Sequence, residues 1–244
     1  MFPRTARHFE PLPTGHPCQG CEAREWAVCG VLDCESLEKF KKMGRDIKLR
    51  PGQTLFHEGD KANRLFTLTS GSLKLFKLLA DGRCHVTGFM HPGDFLGITL
   101  EDDHAFTAQA LEGAELCCFP RQAFEDFLDD HSSMERELYR MAAHELTAVQ
   151  QQLTLLARKT AHERLASFLL VMVEQRSRQT RGRSDVVNLP MSRADIADYL
   201  GLTKETVSRL LSEMRRDRLI RLQSLGTVEV LDFDRLAQLA ESGT

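Results

Sequence analysis

No apolar run in the 244 residues approaches the roughly 18 that a membrane span needs. The amino terminus also lacks the apolar core of a secretory signal. Both absences predict a cytoplasmic protein with no membrane partner. In that reducing compartment the seven cysteines are ligands, redox groups or buried thiols rather than a disulfide framework. There is no excess of positive charge either: the net charge of −3 argues against a general polyanion binder.

The small total conceals an uneven distribution. Residues 158–221 hold fourteen Lys or Arg against eight Asp or Glu, a surplus of six positive charges, so the remainder sums to −9. A basic segment attached to an acidic one is the electrostatic footprint of a nucleic-acid domain joined to a sensor. Within the basic segment, residues 193–212 carry the spacing of a helix-turn-helix. Ser192 and Asp195 make a capping box, so a helix should start at Arg193 and run through Ile196, Ala197 and Leu200. Gly201 breaks it and Thr203 caps a second helix whose inward face is Val207, Leu210, Leu211 and Met214. Its outward face is Lys204, Glu205, Ser208, Arg209 and Ser212. Arg pairs with guanine, Glu accepts from cytosine N4 and Ser serves either, so this face suits reading bases in double-stranded DNA, with Thr203 at its start. Residues 219–230 alternate around Leu225 and Gly226 as a small hairpin, a wing that touches phosphates.

Residues 45–120 read as short strands punctuated by glycine, among them Leu65 to Leu68, Leu73 to Leu79 and Cys84 to Met90. Even spacing of this kind predicts a double-sheet jelly roll. Cupin metalloenzymes share that roll and use a His-x-His pair, which is absent here; His57, His85, His91 and His104 stand singly. Past the roll, Ser132 and Glu135 are placed for a capping box, and Tyr139, Ala142, Leu146, Val149, Leu153 and Leu156 form a heptad seam. That seam predicts a homodimer, with burial against the roll as the other way to cover it. Thr160 and Glu163 open a further helix, and residues 176–185 form a polar connection to the reading head. The fold class expected is α+β: a cysteine-rich segment over residues 1–44, a double-stranded β-helix (jelly-roll) sensor domain over 45–130, a long dimerisation helix over 131–158 and a winged helix-turn-helix over 159–244.

Cys18-x-x-Cys21 places two thiolates on one tight turn, with Cys29 close behind and Cys117 far away. By itself a CxxC suits zinc or a redox dithiol as readily as an iron–sulfur cluster. Neighbouring strand positions face opposite ways, so only one of Cys117 and Cys118 can face the amino-terminal cysteines.

The order roll, long helix, helix-turn-helix resembles the CRP/FNR superfamily of transcription regulators along nearly the whole chain. The closest local matches are Glu205-Thr-Val-Ser208-Arg209-Leu-Leu, which looks like the FNR recognition helix, and Ala108-Gln-Ala-Leu-Glu112 leading to Cys117. The resemblance implies a DNA-binding regulator rather than an enzyme. It selects Cys18, Cys21, Cys29 and Cys117 as ligands of a [4Fe–4S] cluster, with the spacing from Cys21 to Cys29 of the FnrN/FnrL group. Cys118 becomes a core residue, Cys34 a substitute ligand for Cys29, and Cys84 surplus. It further implies an inverted repeat like TTGAT-N4-ATCAA as target, and RNA polymerase as a partner touching exposed roll loops such as residues 80–83. Cyclic-nucleotide members hold the phosphate with an Arg inside the roll; no Lys or Arg lies between Arg83 and Arg121, so no cyclic nucleotide is expected. The other sensors compatible with this architecture are a zinc or thiol-redox amino terminus, and a haem ligated by His85 or His91.

Overall fold

The computed structural model describes residues 11–99, 101–179, 182, 184–224 and 226–241. They form two compact units, one of residues Met1–Leu78 with Thr87–His144, the other of Leu79–Val86 with Glu145–Thr244.

In the first unit, residues 22–25 and 28–31 form two short 3-10 turns, followed by helix α1 (Cys34–Met43), whose N-cap Asp33 accepts from Ser36 N–H. Eight strands follow: β1 (Arg45–Leu49), β2 (Thr54–Phe56), β3 (Arg64–Ser70), β4 (Leu73–Leu78), β5 (Cys84–Met90), β6 (Phe95–Leu96), β7 (Thr107–Ala110) and β8 (Ala114–Pro120). They assemble into two four-stranded sheets, ordered β1-β8-β3-β6 and β2-β7-β4-β5, the jelly roll that glycine punctuation implied. Strand alternation then assigns each side chain to a face. Leu116 and Cys118 of β8, with Phe66 and Leu68 of β3, point between the sheets and join the roll core of Leu73 and Leu75. Leu65, Cys117 and Phe119 point the other way, into a second core with Leu37, Phe40 and Phe124. Between β3 and β4 the chain turns at Gly71, at φ +79°, where a Cβ would lie 2.3 Å from the Gly113 carbonyl oxygen; only glycine fits.

Helix α2 (Arg121–Asp129) leads to α3 (Ser132–Arg158), 27 residues long. The capping box expected of Ser132 and Glu135 does not form as drawn. The helix already includes Ser132, and Glu135 N–H bonds to the His131 carbonyl, so His131 is the residue before the first turn. Its ring stacks on Phe127 at 3.7 Å, a local contact that spacing alone does not encode.

In the second unit lies α4 (Ala161–Gln179), begun by a reciprocal pair: Thr160 N–H donates to Glu163 Oε2 at 2.8 Å and Glu163 N–H to Thr160 Oγ1 at 3.5 Å. The helix runs on to Gln179, so the polar connection expected from residue 176 is shorter; a polar face is as compatible with a solvated helix as with a loop. Then come β9 (Val186–Asn188), α5 (Arg193–Leu200), α6 (Lys204–Arg216), β10 (Ile220–Leu222), β11 (Thr227–Val230) and α7 (Phe233–Glu241). The wing hairpin is present, but as part of a three-stranded antiparallel sheet ordered β10-β11-β9. Leu225, at the expected turn, lies outside the described residues.

Phe119 is 1% exposed and sits 4.2 Å, centroid to centroid, from Phe40. Phe119→Ala removes the ring that joins β8 to α1 and should cost about 3–5 kcal/mol. The measurement is the urea midpoint of the first unit; an unchanged midpoint would contradict this account of the second core.

Candidate cysteine centre and nucleic-acid interface

Four of the seven cysteines share one cavity. Cys18, Cys21, Cys29 and Cys117 line it together with Lys41, Arg24 and apolar neighbours including Phe40 and Phe119, around a space that is partly open to solvent. Cys117 reaches it because Cys118 occupies the roll side of β8, 3% exposed. Cys34 is exposed at the start of α1, Cys84 lies on β5, and neither lines the cavity. Among the described residues no three His, Cys, Asp or Glu side chains converge closely enough to hold one metal ion.

Local hydrogen bonds shape the turn. Cys21 N–H donates to the Cys18 carbonyl at 3.3 Å, and Cys18 N–H to His16 Nδ1 at 3.0 Å. With Nδ1 accepting, Nε2 carries the proton and donates to the Cys34 carbonyl, 3.3 Å away. His16 thereby ties the cysteine turn to the start of α1, a role invisible in spacing. Lys41 was equally unforeseen. Its ammonium donates to Cys117 Sγ at 3.3 Å and pairs with Asp46 on β1. Burial works against that charge, but the bonds to Asp46 and to the sulfur outweigh it and hold the lysine protonated.

The thiols themselves are costly to ionise. Burial pushes Cys18 up to about 11, with Lys41 opposing and Cys117 and Cys21 adding repulsion. Cys29 is raised by burial and then by Cys21, Cys18 and Cys117; Cys117 is raised by burial against the pull of Lys41. Three clustered thiols and a remote fourth that repel one another when ionised form a donor set suited to a multi-charged inorganic centre, since soft thiolates are the ligands of iron–sulfur clusters.

In the second unit the capping box of Ser192 and Asp195 is present, and Gly201 takes the left-handed conformation at φ 62° and ψ 40°. Thr203 Oγ1 accepts from Thr206 N–H, starting α6. Val207, Leu210, Leu211 and Met214 are buried, while Lys204, Glu205, Ser208 and Arg209 are exposed and Ser212 is half-buried. Ser208 and Ser212 donate their hydroxyls to the Lys204 and Ser208 carbonyls at 2.9 Å, leaving oxygen lone pairs outward as acceptors. Arg164 fixes the base of this assembly: Nη1 donates to Leu200 O at 3.0 Å, Nη2 to Leu156 O at 2.8 Å and Nε to Lys159 O at 3.0 Å.

Along α3 the heptad seam stands in solvent. Tyr139 is 80% exposed, Leu146 60% and Leu153 62%, with Ala142 and Val149 also exposed and Leu156 half-buried. A different face of the same helix carries Met134, Leu138 and Met141 into the core that Cys18, Cys29 and Cys117 border.

Comparison with known proteins now bears on this arrangement. Residues 163–239 match the model of the Crp-like helix-turn-helix domain, and residues 46–131 that of the cyclic nucleotide-binding domain. The chain is 40% identical over 228 residues to the nitrogen fixation regulation protein FixK of Bradyrhizobium diazoefficiens, covering 93% of this chain and 95% of that protein. It is 34% identical to the transcriptional activator protein FnrL of Cereibacter sphaeroides, over 92% of each. The solved structure of FixK2 from Bradyrhizobium japonicum superposes with a TM-score of 0.73 at 32% identity, covering 80% of this chain and 96% of that one. The chain belongs to the CRP/FNR family of transcription regulators.

As a CRP/FNR regulator it binds DNA, its Crp-like helix-turn-helix domain spanning residues 163–239, and is not an enzyme. The cyclic nucleotide-binding match describes its roll, not a ligand. The arginines bounding the cation-free stretch of that roll are both engaged elsewhere. Arg83 pairs with Asp81 on an exposed turn, and Arg121 donates to the Ala62 and Thr99 carbonyls and to Glu125. His85 is exposed on β5, and burial lowers His91 to about 4. No helix among the described residues is long and apolar enough to cross a membrane.

Ser192→Ala deletes the oxygen that accepts Asp195 N–H at 3.1 Å. It should cost about 1 kcal/mol of stability, read as a lower thermal midpoint of the second unit. No change would mean that Asp195 alone caps α5.

Proposed function

We propose that this regulator responds to oxygen through a [4Fe–4S] cluster held by Cys18, Cys21, Cys29 and Cys117. We further infer that it acts as a homodimer on inverted repeats like TTGAT-N4-ATCAA. The observation that carries the reading is the shared cavity: chain segments about ninety residues apart present four thiols to one space, with Lys41 donating to one of them. Bound there, the cluster would supply an oxygen-labile cross-link between the amino-terminal segment and β8. Relatives named as transcriptional activators, FnrL among them, support activation, with RNA polymerase as the partner and exposed roll loops such as residues 80–83 as its contact.

The residues around the cavity give such a link something to act on. Met134, Leu138 and Met141 of α3 pack in the core bordered by three of the cysteines, so the packing of the amino-terminal segment bears directly on the dimer helix. A ligand shifts a conformational equilibrium only by its differential affinity for the two states, and metal–thiolate binding is strong enough to supply the few kcal/mol involved. The seam residues Tyr139, Ala142, Leu146, Val149, Leu153 and Leu156 then bury against a second copy. Two α6 helices enter successive major grooves, Arg209 pairing with the half-site guanine and Glu205 with cytosine, while Arg193 and Lys204 contact phosphates. No cyclic nucleotide takes part.

Protein purified without oxygen should carry about four iron and four sulfide per protomer. Ser at Cys18, Cys21, Cys29 or Cys117 should abolish this loading; Ser at Cys84 or Cys118 should not. Full loading of Cys117→Ser would overturn the ligand set, and zinc without iron would replace the cluster by a zinc-bound amino terminus.

Val149 is 47% exposed at the middle of the seam. Val149→Asp should weaken dimerisation at least about tenfold, because each protomer would bury an unpaired carboxylate. Sedimentation velocity across a dilution series measures it. An unaltered monomer–dimer balance would place the interface elsewhere.

A further inference from the structure

Glu213 takes no part in the base contacts expected of α6, yet its carboxylate is the most heavily engaged group on that helix. Oε1 lies 3.0 Å from Arg209 Nη1, and Oε2 lies 3.0 Å from His162 Nε2 on α4. Arg216 Nη2 stands 4.0 Å from Oε1. The side chain of Glu213 is 23% exposed against 60% for Arg209, so a half-sheltered carboxylate, anchored from a different helix, holds the root of an outward-pointing guanidinium. His162 serves this purpose in either protonation state, because Nε2–H donates to the carboxylate whether or not Nδ1 also carries a proton.

An unrestrained arginine on a DNA-facing helix has two competing targets. Phosphates attract its charge without regard to sequence, whereas guanine needs two parallel N–H groups in one orientation. The Glu213 carboxylate acts on both. It neutralises the pair, which weakens the pull of the phosphates. By occupying Nη1 it leaves the Nε–Nη2 edge of the fork, whose two parallel N–H groups match guanine O6 and N7. From this geometry we infer that Glu213, steadied by His162, is a positioning residue for base readout: it aims Arg209 at guanine and keeps it off the backbone. The inference rests on Arg209 being the guanine reader. Exposed ion pairs of this kind add little to folding stability, so the consequence lies in specificity and not in the fold.

The test uses full-length protein purified without oxygen, and fluorescence anisotropy on the inverted repeat TTGAT-N4-ATCAA. The comparison duplexes carry a substituted half-site guanine pair, or a substituted pair at the Glu205 position. Glu213→Ala should reduce discrimination at the guanine pair by about fivefold or more, leave discrimination at the Glu205 pair unchanged, and steepen the salt dependence by about one unit of slope per protomer as Arg209 moves to a phosphate. His162→Ala should lose part of the same discrimination, and His162→Gln, which keeps a donor, should restore it. Melting temperatures should match that of the parent protein. Retained discrimination in Glu213→Ala, alongside its loss in Arg209→Ala, would overturn the inference while leaving Arg209 as the reader. A uniform loss of affinity at every position would overturn it as well, by reducing Glu213 to a structural role. Unchanged discrimination in Arg209→Ala would overturn both assignments.

Discussion

An antiparallel sheet usually keeps one face in water. In this protein the sheet ordered β1-β8-β3-β6 has both faces covered, and the first unit depends on that constraint. Leu116 and Cys118 of β8 belong to the roll core; Cys117 and Phe119 belong to the core built with α1, α2 and the start of α3. Because the side-chain period of a strand is two, one residue of slip would exchange these sets. It would carry Cys117 and Phe119 into the roll core and turn Leu116 and Cys118 toward α1 and α2. Pairing with β1 on one side and β3 on the other, from Arg45 opposite Cys118 and Arg64 opposite Pro120 onward, fixes the register.

The second unit depends on satisfying carbonyls at helix ends, which an α-helix leaves without partners. Arg164 does this three times over, for Leu156 and Lys159 where α3 ends and for Leu200 where α5 ends. The Lys159 ammonium adds a bond to the Ala240 carbonyl of α7 at 2.8 Å. Two cations thereby bind the close of α3, the first helix of the reading head and the carboxyl-terminal helix into one frame on which α6 is presented.

Much of this was legible in the chain itself, and the legible parts share a physical character. Ser192 with Asp195, Thr160 with Glu163, and Gly201 are signals whose partners lie within a turn or two, so spacing encodes them. The alternation that separates Cys117 from Cys118 is similarly local. What escaped depends on residues distant in sequence. Strand β9 is three residues long and exists because β11 pairs with it. Lys41 faces Cys117 across 76 positions, and His162 faces Glu213 across 51; no window of sequence contains either pair. Ser132 failed as a cap for the opposite reason: its spacing to Glu135 was right, but the helix starts one residue early, with the His131 carbonyl accepting from Glu135 N–H.

In the proposed switch, helix α3 is where sensing and pairing meet, and its geometry limits how a signal can pass. At 27 residues it is roughly 40 Å long and unbroken. Its core face, Met134, Leu138 and Met141, and its solvent seam, beginning at Tyr139 and Ala142, lie about 100° apart around the helix axis. A rigid rod gripped on one face by the core around the cysteines cannot change its packing there without rotating or shifting its other face. A seam of alternating three- and four-residue steps is sensitive to such rotation, since knobs enter holes only when the apolar stripe points at its partner. In the proposed switch, small repacking beside Cys18, Cys29 and Cys117 would thereby be converted into a change in how well two seams fit, without any residue of the cavity touching the second copy.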